Sequence, residues 1–239
     1  MRVCWLVLLL LPCFSIAQPM LNVVTEEWVP YNFTNEKGEI VGRASQKVRE
    51  VLDAAGVQYE IRSYPWVRSM KLAQSKKNTM IYSIYRTSER ESLFLWACPL
   101  LNPVKEFLFK LRTRDDIHVE TLDDAKKYIT SLVRGSISHE YLVERGFENG
   151  VNLDLTADPS ASPRKLLARR VDFIITTEYT AYERMKELGH PYELLEAVHE
   201  VKNADERRAC MAFNKDTDPE ILSRVRKALA EHNARYVGP

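Results

Sequence analysis

Short apolar runs alternate with segments of helical spacing along most of the chain, and this alternation restricts the fold more than any other feature. LNVVT at 21–25, TMIYSIY at 79–85 and VDFIIT at 171–176 are typical of strands, whereas 219–236 has the spacing of a long amphipathic helix. Parallel strands need a long crossover, which a helix supplies. The order therefore predicts an α/β fold with mostly parallel sheets. Because no low-complexity linker interrupts the chain, two lobes would need extended strands as their hinge.

The first 17 residues are expected to be a cleavable export signal. A basic start at Arg2 precedes an apolar run over 3–14, and SIA at 15–17 has the small-x-small form of a cleavage site. The run is shorter than the roughly 20 apolar residues that cross a bilayer, which favours a signal over an anchor. Pro12 before Cys13 disfavours lipoprotein processing. We therefore expect a periplasmic protein.

Charge and metal-ligand patterns exclude several classes of partner. Lys and Arg number 34 against 33 Asp and Glu, and Arg2 leaves with the signal, so the mature chain has no basic excess. We expect neither nucleic acid nor an anionic membrane surface as a partner. The 5 histidines are scattered and no CxxC motif occurs, so we expect no metal site and no cofactor.

Two cysteines, Cys98 and Cys210, remain after the signal is removed. The oxidising periplasm allows them to form a disulfide. Their apolar neighbours in LWACPL and RACMAF favour two buried free thiols instead. Because a sequence does not give their separation in space, the disulfide stays open as an alternative.

Six motifs share their order and spacing with a known protein family. They are VPYNF at 29–33, GEIVG at 38–42, RTSERESLFLWACPL at 86–100, VRGSISHEYL at 133–142, RRVDFIITT at 169–177 and AFNKDTDPEILSRVRKAL at 212–229. In these motifs the mature chain resembles the family 3 periplasmic solute-binding proteins, whose best-known members bind polar amino acids. The resemblance implies a two-lobe, type II periplasmic-binding-protein fold, with a mostly parallel, helix-flanked sheet in each lobe. Lobe 1 would comprise 18–105 and 210–239, and lobe 2 would comprise 106–209.

The resemblance also implies a function. A monomer would capture a small polar or carboxylate-bearing, amino-acid-like ligand by hinge closure and deliver it to an ABC-type membrane permease. Some relatives are sensory domains, so a periplasmic sensor with a membrane signalling partner is the alternative. An enzyme on the same scaffold is a further alternative, with Glu26, Glu27, Glu178 and His139 as candidate acids or bases. Since no triad or paired-carboxylate arrangement is recognisable, we expect no catalysis.

Arg90 is the candidate anchor for the ligand. In the family, the arginine of the Thr-x-x-Arg motif receives the ligand's α-carboxylate, and a guanidinium makes two parallel bonds to such a group. Thr87 would cap the following helix or donate its hydroxyl. The alternative for Arg90 is a surface ion pair with Glu89 or Glu91.

Two further positions of lobe 1 match the family's binding cleft. Trp28 matches the aromatic residue that stacks over the ligand, with core packing as its alternative. Ser83 lies where the family uses a small hydroxyl or a backbone donor on the cleft strand. Both are expected ligand contacts.

The segment YPWVR at 64–68 departs from the family pattern. Trp66 would add an aromatic wall to the cleft and Arg68 a second cation. The alternatives are core packing for Trp66 and a solvated helix face for Arg68. Apolar spacing predicts a helix over 66–74 that buries one face, made of Val67, Met70 and Ala73.

Lobe 2 offers a glycine turn before a short helix. Gly135, Ser136 and Ser138 could hold an anion with backbone N–H groups and hydroxyls, while Ser138 could instead cap the helix. Amino-acid binders of the family carry an aspartate for the ligand's ammonium where this chain has Thr177. Glu178 follows directly and could substitute for it.

Overall fold

The computed structural model describes residues 20–201 and 208–236, which form two five-stranded sheets flanked by helices and a separate two-stranded ribbon. The expected export signal at 1–17 lies outside the described residues. Within the described ranges, no helix combines the length and the apolar character needed to cross a membrane.

The strands and helices alternate as the apolar pattern predicts. The strands are β1 (Leu21–Thr25), β2 (Phe33–Thr34), β3 (Ile40–Val41), β4 (Tyr59–Ser63), β5 (Thr79–Tyr85), β6 (Leu95–Leu101), β7 (Glu106–Leu111), β8 (Thr130–Val133), β9 (Leu153–Thr156), β10 (Phe173–Thr176), β11 (Leu195–Val201) and β12 (Ala209–Phe213). The helices are α1 (Arg43–Ala54), α2 (Trp66–Ser75), α3 (Ser88–Glu91), α4 (Ile137–Glu144), α5 (Ala161–Leu167), α6 (Glu178–Glu187) and α7 (Pro219–Tyr236), with short 3₁₀ helices at Leu122–Lys127 and Tyr192–Leu194.

Both sheets are mostly parallel. The first has the order β4-β1-β5-β12-β6, in which β1 is parallel to β4 and β5 while β12 is antiparallel to β5 and β6. The second has the order β11-β7-β10-β8-β9, in which β8 is parallel to β9 and β10 while β7 is antiparallel to β10 and β11. One strand of each sheet therefore opposes the direction of the others. This topology confirms the predicted two-lobe α/β fold, and we call the two sheets with their helices the first and second lobes.

Apolar side chains on the helices fix each sheet between two layers. In the first lobe, Val48 and Leu52 of α1 and Val225 of α7 form one buried cluster with the sheet. On the opposite face, α2 contributes Trp66 and Ala73 to a second cluster. The expected buried face of α2 is wrong in part: Val67 is half exposed. The reason is that Ser69 of α2 is buried and donates to the Thr25 carbonyl oxygen, which sets the rotation of the helix.

A disulfide joins the two strands that lead to the lobe crossings. The chain leaves the first lobe between Leu101 and Glu106 and returns to it between Val201 and Ala209. Cys98 on β6 and Cys210 on β12 are bonded, with their Cα atoms 4.7 Å apart, and β6 and β12 are hydrogen-bonded neighbours. The expectation of two free thiols is therefore wrong, because the antiparallel pairing of these strands brings both cysteines within bonding distance.

Candidate ligand-binding cleft

A cavity of about 120 Å³ lies between the two lobes. One ordered water needs about 10–15 Å³ of such space, so the cavity accepts a ligand of roughly ten non-hydrogen atoms. Among its lining residues, the first lobe contributes Glu26, Glu27, Trp28, Trp66, Ser83, Tyr85 and Arg90, and the second contributes Glu106, Ser136, Ile137, Ser138, Ser162, Thr176, Thr180 and Arg184. A site built from two lobes suits a small polar solute.

Trp28 lines this cavity and also packs against other aromatic side chains. Its ring centroid is 4.3 Å from that of Tyr31 and 6.4 Å from that of Tyr85. It also packs against an apolar cluster that includes Tyr85 of the first lobe and Ile137 of the second. The ligand-stacking role and the packing role predicted for Trp28 are thus compatible.

Ser83 lines the cavity because β5 is bulged at this point. The pairing between β5 and β12 shifts between Cys210 and Met211, and Ser83 has a φ of 61°. Bulges re-aim side chains and are frequent next to binding sites. Its hydroxyl donates to the Asn32 side-chain oxygen at 2.6 Å, and the Asn32 amide donates to the Glu26 carbonyl oxygen at 2.8 Å. The bulge therefore braces the loop that carries Glu26 and Trp28.

Trp66 and Arg90 close the cavity by bonding to the second lobe. The Trp66 indole N–H donates to the Gly135 carbonyl oxygen at 2.6 Å. Arg90 is only 2% exposed, and its guanidinium lies 5.3 Å from the Trp66 ring centroid. Its Nη2 donates to Glu140 Oε1 at 2.7 Å and to the Gly135 carbonyl oxygen at 3.3 Å. Neither Glu89 nor Glu91 is its partner; Glu91 pairs with Arg86.

Three carboxyl groups reach the cavity. Glu27 accepts hydrogen bonds from the Ser63 hydroxyl and from Thr34, and Glu106 accepts one from Ser138 at 2.5 Å. Burial raises the pKa of Glu26 from 4.5 to about 8; the nearby Arg90 opposes this rise, and Glu106 and Glu27 add to it. Glu26 is therefore protonated at neutral pH, and a cation beside it would favour its ionised form.

The second lobe presents hydroxyls and one cation. Ser136 rather than Ser138 caps α4, accepting from the His139 backbone N–H at 3.2 Å, because the helix begins one residue after Ser136. Ser138 does not cap the helix, which was the alternative for it, and donates to Glu106 instead. Arg184 of α6 lines the cavity but already pairs with Glu187 at 2.7 Å.

Four residues expected at the site do not line the cavity. Thr87 caps α3 by accepting from the Arg90 backbone N–H. Arg68 is exposed on α2, with its guanidinium 4.2 Å from the Tyr64 ring centroid, which is the solvated alternative. Thr177 caps α6 and donates to the Thr180 hydroxyl, and the exposed Glu178 lies in the first turn of that helix. Helix capping turns the 177–178 pair away from the cavity.

Thr180, which the sequence did not indicate, takes part in closing the cleft. Its hydroxyl donates to the Val29 carbonyl oxygen of the first lobe at 2.7 Å. Nearby, the Arg43 guanidinium lies 4.9 Å from the ring centroid of Tyr179. Together with the Trp66 and Arg90 bonds, these contacts describe two lobes closed on the cavity.

Comparison with known proteins agrees with the fold. A sequence profile of bacterial extracellular solute-binding proteins, family 3, matches residues 21–236. No curated protein sequence is significantly similar. A histidine kinase sensor domain with similarity to periplasmic binding proteins superposes with a TM-score of 0.79 at 23% identity, over 92% of this chain and 93% of that one.

Two solved binding proteins share the fold with similar TM-scores and sequence identities. An ancestral arginine-binding protein bound to arginine gives a TM-score of 0.77 at 22% identity, over 90% of this chain and 92% of that one. The arginine-, lysine-, histidine-binding protein ArtJ from Geobacillus stearothermophilus gives 0.75 at 22% identity, over 91% and 92%. Since the family profile spans nearly all of the described chain, the chain belongs to the bacterial extracellular solute-binding proteins of family 3.

Proposed function

We propose that this protein captures a small polar or carboxylate-bearing, amino-acid-like solute in the periplasm by closing its two lobes around it. The observation that supports this most strongly is the cavity lined by both lobes and bridged by hydrogen bonds between them, from Trp66 and Arg90 to Gly135 and from Thr180 to Val29. A solute held in this space contacts both lobes at once, so it favours the closed state over the open one. No step of this proposal requires catalysis.

The lobes are proposed to consist of 18–105 with 210–239 and of 106–209, with the crossings next to β6 and β12 as the hinge. The export signal at 1–17 would place the mature protein in the periplasm, as a monomer. Trp28, Trp66, Ser83 and Arg90 would receive the solute first, and Ser136 and Ser138 would reach it as the second lobe closes.

An ABC-type importer is the proposed membrane partner, which would recognise the closed shape. A role as a periplasmic sensor is the second candidate, favoured by the similarity to a histidine kinase sensor domain. Deleting the gene and measuring uptake of the bound solute separates the two roles, because only the importer role predicts lost uptake.

A thermal-shift screen of the purified mature protein tests solute capture. The panel contains amino acids, dicarboxylates, small amines and short peptides. A solute at 100 times its dissociation constant adds about 2.7 kcal/mol of stability, which is a large shift. Stabilisation by at least one solute, lost in Trp28→Ala, supports the proposal; no stabilisation across the panel contradicts it.

A further inference from the structure

Glu140 of the second lobe is the counter-ion of Arg90. Arg90 is the residue that is expected to bind a carboxylate group of the ligand. Glu140 Oε1 lies 2.7 Å from Arg90 Nη2, and the two residues belong to different lobes. Glu140 is held in the first turn of α4, where its backbone N–H donates to the Ser136 carbonyl oxygen at 3.1 Å. A carboxylate at a helix N-terminus is favoured by the helix dipole. The chain itself therefore supplies Arg90 with a positioned carboxylate.

The existing hydrogen bonds of Arg90 prevent it from binding a second carboxylate through two hydrogen bonds. A guanidinium grips a carboxylate either through its two terminal nitrogens or through Nε and the terminal nitrogen on the same side, which is Nη2. Both arrangements use one N–H of Nη2, and its two N–H groups already point to Glu140 and to the Gly135 carbonyl oxygen. The Nε atom is buried and has no hydrogen-bond partner among the described residues, so a ligand oxygen does not reach it without movement of the side chain.

The charges that line the cavity favour a cation. Arg90 and Arg184 are matched by Glu140 and Glu187, which are not lining residues. Glu26, Glu27 and Glu106 also line the cavity. The preference for a cation rests on Glu26 and Glu27: the Glu26 carboxyl group has no hydrogen bond among the described residues, and Glu27 accepts from the Ser63 hydroxyl and from Thr34, which carry no charge.

A carboxyl group in an enclosed space disfavours an anion beside it, and a cation beside it stabilises its ionised form. Burial raises the pKa of Glu26 to about 8, and Glu106 and Glu27 add to the rise. An organic cation beside Glu26 would lower that pKa again, so binding of the cation favours the ionised carboxylate.

We propose that Glu140 determines specificity: by occupying Arg90 it makes the cleft select a small organic cation without a free carboxylate, such as an amine or a guanidine, over the corresponding α-amino acid. This inference rests on the proposed function, because it names the class of solute for the same cleft. Glu26 and Glu106 would face the cation, and Trp28 and Trp66 would supply aromatic faces for it.

The test compares matched pairs of probes by isothermal titration calorimetry. Agmatine is paired with arginine and cadaverine with lysine, so each pair differs by the carboxylate. The wild-type protein is expected to bind the amine of at least one pair more than tenfold more tightly than its amino acid. In Glu140→Gln, which removes the negative charge that competes with a ligand carboxylate for Arg90, the ratio of the two dissociation constants should shift at least tenfold towards the amino acid.

Two controls keep the result specific to the Arg90–Glu140 pair. Glu144→Gln changes the same helix one turn further on, at an exposed residue, and should leave the ratio unchanged. Because the ratio is formed within each variant, a general weakening of lobe closure in Glu140→Gln cancels.

Three outcomes would overturn the inference. They are tighter wild-type binding of the amino acid in both pairs, a ratio that Glu140→Gln does not change, and no binding by any of the four probes. In the last case the wider thermal-shift panel tests the proposed function separately. Stabilisation by an anionic or neutral solute would support solute capture and would contradict the preference for a cation.

Discussion

Reducing the Cys98–Cys210 disulfide is expected to lower the free energy of unfolding by about 2–5 kcal/mol. The bond closes a loop with a sequence separation of 112 residues. For a loop of that length, the entropy lost by the unfolded chain corresponds to about 4.8 kcal/mol at 25 °C. This value is an upper bound, because a reduced unfolded chain keeps some residual structure.

Urea unfolding followed by tryptophan fluorescence, with and without dithiothreitol, measures this difference. Cys98 is exposed, so the reductant reaches the bond, and thiol titration verifies complete reduction. The double variant Cys98→Ala with Cys210→Ala is the control, because its unfolding should not respond to the reductant. A wild-type protein that loses less than about 1 kcal/mol on full reduction would refute the loop-entropy reasoning.

Three further predictions concern the cleft and the loop that supports it. Because Glu26 keeps its proton up to a pKa of about 8 in the folded protein, against 4.5 ordinarily, stability should fall as pH rises between these values, by up to about 1.4 kcal/mol per unit. Glu26→Gln should flatten this part of a pH-dependent melting profile, and an unchanged slope would count against it. Trp66→Phe removes the 2.6 Å bond to Gly135 and should weaken solute binding roughly fivefold to tenfold; calorimetry showing equal affinity would argue against lobe closure through this bond. Gly42 has a φ of 108°, and an added Cβ would lie 2.5 Å from the Tyr31 carbonyl oxygen. Gly42→Ala should therefore lower the free energy of unfolding by about 1–3 kcal/mol or more. Chemical denaturation measures this difference, and equal stability of the two proteins would contradict the predicted strain.

The elements that the sequence predicts best are those with uninterrupted apolar patterns. The run at 79–85 is entirely buried as β5, and the helical spacing over 219–236 corresponds to α7. In contrast, β11 carries Glu196, His199 and Glu200 and is an edge strand, which among the described strands pairs with β7 alone. Because such a half-solvated strand lacks a continuous apolar run, β11 was not predicted from the sequence.

The cleft could be predicted where a position matches the family pattern, as for Trp28, Ser83 and Arg90, or where a residue type suits the role by itself, as for Trp66. Trp28, Trp66, Ser83 and Arg90 were expected at the ligand and do line the cavity, although contact with a ligand stays a prediction. Glu106 was missed, although its position at the start of a strand next to a lobe crossing was an available signal. The Arg90–Glu140 pair joins residues 50 positions apart in the sequence. Such a pair depends on how the lobes meet, which local patterns do not encode.

Small-angle X-ray scattering of the mature protein, with and without a solute that stabilises it, tests whether the two lobes close around the solute. Lobe closure predicts a smaller radius of gyration with the solute, and a scattering profile that agrees with the closed arrangement in which Trp66 and Arg90 contact Gly135. A bound solute that leaves the radius of gyration unchanged, in a protein that scatters as an open form in both states, would contradict capture by lobe closure.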